Sequence, residues 1–271
     1  MKLEKGKLEN KWPLFLSKMT THEIVEALDS VKIAILVVGS IEQHGAHLPI
    51  NTDFVTAEYV VLEGLKIARS EISHPVAFIA PGIPYGGPGL GMTEWPGTLC
   101  VRPTVLIDFV SDVCGGLVVS GFKYIVIVNG CVGNVAALAL AVKQLKNSNP
   151  TADFILVETA CPIADFNRGP RESEPNEMGH ADEFETSIML VIDPKHVYME
   201  KAVRETINHP SPEVSWDYGA VNRFFWPEQF KKMTKSGVIG NPTLGTLEKG
   251  EVILKGSAMK FADILLHIHG L

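Results

Sequence analysis

Apolar residues along this chain fall into short unbroken runs separated by longer stretches in which they recur every three or four positions. The runs "KIAILVVG", "HPVAFIAPGIPYG", "KYIVIVNG" and "ADFILVETA" are rich in β-branched residues, the pattern of strands covered on both faces. Between and beyond them, "DFVTAEYVVLEGLKIARS", "RPTVLIDFVSDVCGGLVVSGF", "NVAALALAVKQLKNS" and "DEFETSIMLVI" carry helical spacing. An earlier helix opens at "MTTHEIVEALDS". Thr20 stands there three residues before Glu23, as in a capping box, and Ile24, Val25 and Leu28 follow at helical intervals. Pro103 suits a first helical turn and Gly121 a helix end. The C-terminal stretch ends in a helix with Met259, Phe261, Ile264 and Leu265 on one apolar face.

Strands alternating with helices of this length make βαβ units, so the expected fold is α/β, with a mainly parallel sheet and helices on both faces. Ligands of such sheets bind beyond the carboxyl ends of the strands. "GSIEQH", "PGIPYGGPG" and "NGCVGN" each follow a strand and are expected to open onto one crevice. The order of the strands is not readable from the pattern. Beyond Asp193 the periodicity weakens. Trp216, Tyr218, Phe224, Phe225 and Trp226 sit there among turn-formers, either as a substrate lid or as packing under a loop or at a subunit interface.

The length of 271 residues suits one domain spanning 1–271, and 46% hydrophobic content is enough for a sizeable core. A formal net charge of −7 argues against a nucleic-acid partner or an anionic membrane surface. "MKLEKGKLENKWPLF" has no apolar core of a secretory signal, and no uncharged apolar run reaches the roughly 20 residues needed to cross a bilayer. Cys100, Cys114, Cys131 and Cys161 form no CxxC pair, as expected of reduced thiols in a cytoplasmic protein.

Three clusters carry candidate chemistry. Glu42 and His44 share a face of an extended segment, with Gln43 pointing away, and Asp53 stands where the next helix begins. Asp53 alone reads as a helix-dipole or capping acid, His44 as a hydrogen-bonded core histidine, and His47 as a turn-orienting one. Together, carboxylates and imidazole on one loop suit Zn, Mn or Fe(II). In "MGHADEFETSIML", Asp182 and Glu183 fit first-turn acids, whereas Glu185 lies where the apolar face begins and is a candidate ligand. His180 beside it is a candidate proton shuttle or oxyanion partner. In "NGCVGN", the amides around Gly130, Gly133 and Asn134 are candidates for holding an oxyanion. Cys131 at the apex reads as inert, as a thiolate ligand, or as a nucleophile activated by the helix N-terminus.

"VGSIEQHGAHLPINTD", "YGGPGLGMTEWPGTLCV", "GFKYIVIVNGCVGN", "HADEFETS" and "GVIGNPTLGTLEKGE" resemble the signature segments of the creatininase family, from about Thr20 to Glu251. The resemblance implies a three-layer αβα fold, often hexameric, with one or two divalent ions at the strand ends. Carried over by position, Glu42, His44 and Asp53 match metal ligands, Glu185 a carboxylate of the site, and His180 the histidine with a proton-transfer role. Glu94 and Trp95 fall in a loop expected to shape the pocket. Three departures stand out. Cys131 replaces a metal-binding histidine and Val132 a glycine, and Gly133 stands where creatinine-specific members carry a glutamate ligand. The expectation is a hydrolase with zinc foremost and manganese or iron as alternatives, in which metal-bound hydroxide attacks the carbonyl of a small cyclic amide or formamide. Ring opening of a cyclic ketone of the inositol or sugar type (as in 3-dehydro-scyllo-inosose hydrolase) and a non-catalytic small-molecule binder are the alternatives.

Overall fold

The computed structural model describes residues 12–72, 74–87, 89, 91–159, 170–207, 215, 217 and 228–271. The aromatic segment holding Trp216, Tyr218, Phe224, Phe225 and Trp226 lies outside the described residues, as does Cys161. Strands β1 (Ile33–Val38), β2 (Ala77–Ile79), β3 (Tyr124–Asn129) and β4 (Asp153–Glu158) form a parallel sheet in the order β2-β1-β3-β4. Central β1 is buried at every position, which is what its unbroken apolar run requires.

Side-chain alternation along β1 and β3 divides the core into two layers. Ile33, Ile35, Val37, Val126 and Val128 pack with residues of α2 (Thr52–Ile72), α5 (Glu183–Ile192) and α7 (Leu247–His269), among them Val61, Leu65, Phe184, Phe261 and Leu265. Ala34, Leu36, Ile125 and Ile127 pack with Leu106, Val110 and Cys114 of α3 (Pro103–Ser120), Leu138 of α4 (Val135–Ser148) and Ala27 of α1 (Thr21–Ala27). The result is the expected αβα sandwich. A short antiparallel pair, β5 (Met178–His180) with β6 (Ile239–Gly240), stands apart from the main sheet, and a single turn of helix, α6 (Phe230–Met233), precedes β6.

The local signals behave as written. Thr20 and Glu23 form a reciprocal capping box, Pro103 opens α3, and Gly121 closes it at φ 112°. By length and mean hydropathy α3 would suffice to cross a membrane. In the fold it lies on the sheet through Leu106, Val110, Cys114 and Leu117, while Asp108 and Asp112 face outward.

Pairing register positions the site. Val38 is opposite Asn129, and Asn129 opposite Glu158, so β1, β3 and β4 end level with one another. The loops leaving at Gly39 and Gly130 therefore run side by side, and the Gly130 amide still donates to Val38 O at 2.8 Å. A Cβ on Gly130 would run into the Asp53 carbonyl, so glycine lets the start of α2 approach the end of β3.

Candidate metal centre

Five segments meet where β1 and β3 end. Glu42 and His44 come from the loop after β1, Asp53 from the first turn of α2, and Cys131 from the loop after β3. His180 ends β5, and Glu185 sits in the first turn of α5. His44 Nε2 lies 3.1 Å from Asp53 Oδ1 and 3.7 Å from Glu185 Oε2. Glu42 reaches two ways, with Oε1 3.8 Å from His180 Nδ1 and Oε2 accepting from Cys131 Sγ at 3.5 Å. Three trios have all their candidate ligand atoms within 4.8 Å of one another: Glu42–His44–His180, Glu42–Asp53–Cys131 and His44–Asp53–Glu185.

Backbone contacts orient both imidazoles. His44 Nδ1 donates to Glu42 O at 3.0 Å, which directs Nε2 at the carboxylates. His180 Nε2 donates to Gln43 O at 2.7 Å, which turns the Nδ1 lone pair toward Glu42. The two rings lie 4.4 Å apart between centroids, and Phe230 closes the far side of His180 edge-on at 5.1 Å.

The charges are out of balance. Burial, with Asp53 adding to it, raises the Glu42 carboxyl from 4.5 to about 7. Burial again, opposed by His44 and aided by Asp182 and Asp53, raises Glu185 to about 8. For His44 burial opposes protonation, yet Asp53, Glu185 and Glu42 together overcome it and push the ring up to about 10. His180 is held well below its usual range by burial and by neighbouring His44, so it stays neutral. Burial and the carboxylates of Asp53 and Glu42 push the Cys131 thiol well above its ordinary value, which speaks against the nucleophile among its three readings. Asp53 Oδ2 is buried with no hydrogen-bond partner. Without a cation, protons on Glu42, Glu185 and His44 relieve this crowding; a donor set of carboxylate oxygen, imidazole nitrogen and thiol sulfur fits a divalent transition ion that could take their place.

Several residues take roles the sequence did not suggest. Asp53 does not cap α2; its carboxylate faces His44. His47 is buried and braces the loop against α5, with Nε2 3.0 Å from Thr186 Oγ1. Asp182 is the cap of α5, accepting from the Phe184 and Glu185 amides. Glu183 stands in the first turn of α5 as expected, but it is fully buried, 2.5 Å from Lys249 Nζ, and accepts from the Glu172 and Ser173 amides. The expected oxyanion donors are corrected in part. Gly130 N–H is committed to Val38 O and Asn134 N–H to Cys131 O. Asn134 also spends its side chain on Gly39 O, Asn129 Oδ1 and Gly87 N. The Gly133 amide faces the Cys131 sulfur. Glu94 points outward to Lys231 at 3.5 Å, and Trp95 is half-buried beside it.

Sequence reasoning missed the supports. The Gln43 side-chain amide lies 3.2 Å from His180 Nε2 while donating to Gly237 O, and its Oε1 accepts from Gly45 N. Asn129 clamps the Cys131 backbone from both sides and donates to Glu158 at 2.8 Å. An Asn before Gly at a strand end reads as turn chemistry, which hides this role.

The family model described as Creatininase: Creatinine amidohydrolase matches residues 17–265. The chain is 29% identical to the mycofactocin precursor peptide peptidase of Mycolicibacterium smegmatis, over 92% of this chain and 90% of that protein. It is 27% identical to the creatinine amidohydrolase of Pseudomonas putida, with 93% and 96% covered. It is 26% identical to the 3-dehydro-scyllo-inosose hydrolase of Thermotoga maritima, with 90% and 80% covered. In three dimensions it is similar to a structure from Bacteroides fragilis described as a candidate creatinine amidohydrolase. That match has TM-score 0.81 and 24% identity and covers 94% of this chain and 96% of the other.

Proposed function

The chain belongs to the creatininase family, and from that membership we propose that it is a metal-dependent hydrolase cleaving the C–N bond of a small cyclic amide or formamide. The observation that carries the proposal is the buried convergence of Glu42, His44, Asp53, Glu185 and Cys131, with one Asp53 oxygen left without a partner. Zinc is the foremost candidate, because sulfur joins the donor set. A divalent ion bound there would lower the pKa of water and polarise a carbonyl.

The protein's own residues do the rest. Glu42, His44, Asp53 and Glu185 would hold the cation; the Glu42 carbonyl behind His44 and the Ala181 amide behind Glu185 set the orientation of those two. His180, neutral and with Nδ1 turned into the site, accepts a proton from the attacking water and passes it to the leaving nitrogen. Phe230 covers the His180 ring and excludes water from that side. Relatives of similar identity are named for a peptide, a cyclic amide and a keto-inositol. Ring opening of a cyclic ketone is therefore the second reading, and Gly133, which projects no side chain, accommodates either class.

The test is incubation of metal-loaded protein with lactams, formamides, short peptides and keto-inositols, scored by mass. Gain of one water by a cyclic amide, or loss of a formyl group, is expected. Turnover of keto-inositols alone selects the second reading. Protein that retains no transition metal after preparation without chelators, and takes up none on dialysis, refutes both.

A further inference from the structure

The trios around Asp53 differ in chemistry. On one side are Cys131 Sγ and the carboxylates of Glu42 and Asp53; on the other are the His44 imidazole and the carboxylates of Asp53 and Glu185. Asp53 belongs to both. Its Oδ1 is 3.1 Å from His44 Nε2, and its Oδ2 is buried without a partner in a residue only 4% exposed. Glu42 Oε2 is already 3.5 Å from Cys131 Sγ. The Cys131 main chain is held in place, because Asn129 Oδ1 accepts from the Cys131 amide at 3.2 Å and Asn129 Nδ2 donates to its carbonyl at 2.7 Å, and burial beside Glu42 keeps the thiol in the site. The clamp fixes the backbone from which the sulfur projects.

We infer that the centre is asymmetric: Cys131, Glu42 and Asp53 form a sulfur-containing position selective for a thiophilic ion such as zinc, next to a nitrogen–oxygen position of His44, Asp53 and Glu185 that accepts harder ions as well. The inference rests on the metal-hydrolase reading above. Binding at the sulfur position forms an S–metal bond while the S–H proton leaves to solvent, with no change of oxidation state. Soft sulfur favours zinc over manganese, whereas imidazole and carboxylate discriminate less.

Metal-free full-length protein titrated anaerobically with Co(II) tests this. A thiolate-to-cobalt charge-transfer band in the near ultraviolet is expected, together with visible d–d bands. Cys131→Ser and Cys131→His should abolish the charge-transfer band and keep d–d bands, with circular dichroism reporting that each is folded. In Cys131→His, the preference for zinc over manganese should fall on the order of tenfold or more in direct competition. X-ray absorption of the zinc-loaded unsubstituted protein needs no variant and should show a sulfur neighbour at about 2.3 Å. Cobalt d–d bands without charge transfer, charge transfer that survives both substitutions, or a zinc shell of nitrogen and oxygen alone overturns the sulfur position and leaves the metal-hydrolase reading standing. Failure to bind cobalt or zinc at all overturns both.

Discussion

Asp53 is the side chain on which the two halves of the centre depend, since one oxygen faces His44 and the other is buried without a partner. Asp53→Asn keeps the shape and removes the charge. Metal content should drop below that of the parent by elemental analysis, and turnover should fall about 100-fold or more; unchanged stoichiometry would reduce Asp53 to a helix-start acid. Gln43 acts one step back: its side chain ties the Gly237 carbonyl and the Gly45 amide and so holds the backbone carbonyl that receives His180 Nε2–H. Gln43→Ala should lower kcat about 10- to 100-fold with KM nearly unchanged, and should shift the pH dependence of kcat, which a merely loosened loop would not do. Glu42, His44, Asp53 and Glu185 were legible because ligand-type residues crowd two short segments. Gln43 and Asn129 were not, because their partners lie far away in sequence and a polar side chain does not announce which carbonyl it will meet. Gly130 was misjudged for a related reason: its amide looked available at a turn, yet it extends the ladder from β3 to Val38.

At the scale of elements, the strands and helices with a period were readable, and those made by tertiary pairing were not. "MGH" carries no strand pattern, and β5 exists because Met178 meets Gly240 across a register irregularity. β5 nevertheless places His180, and α5, which follows it, places Glu185. The seat of α5 depends on a buried ion pair. Lys249 Nζ of α7 reaches Glu183 of α5 at 2.5 Å and Leu244 O at 2.8 Å, with both side chains nearly or wholly inaccessible. Lys249→Met would leave the Glu183 carboxylate uncompensated and should destabilise the protein by about 3–5 kcal/mol in denaturant unfolding. Replacing Glu183 as well, by Leu, should recover much of that loss. If the single substitution costs under about 1 kcal/mol, the pair does not seat α5.

For the whole molecule, the αβα layering followed from alternating elements, whereas strand order and the meeting of five distant segments came only with the fold. That meeting ties global stability to pH and to metal. Glu42 and Glu185 bind protons more tightly in the folded chain than at their ordinary 4.5, so the stability this lends is complete below that pH and is lost as pH rises through about 7 and about 8. His44, raised from 6.5 to about 10, behaves alike: its contribution is complete below 6.5 and gone above about 10. His47, lowered to about 4, and His180 run the other way and cost the folded state as pH falls below 6.5. Metal-free protein should therefore weaken on the alkaline side, where the carboxylates are charged and crowded. A divalent cation takes the place of those protons, so it should bind more tightly and restore more stability as pH rises. At a free concentration about 100 times its Kd, an ion that binds only the folded chain adds about 2.7 kcal/mol, or roughly 5–10 °C in Tm for a chain of this size. Thermal unfolding of chelator-stripped protein with and without a fixed zinc concentration, at about pH 6 and about pH 9, should show the larger zinc-induced shift at the higher pH. Calorimetric titration in buffers of different ionisation enthalpy should show protons released on binding, fewer at the higher pH. Equal shifts at both pH values, with no proton release, would mean that the carboxylates and His44 do not hold protons where the cation sits.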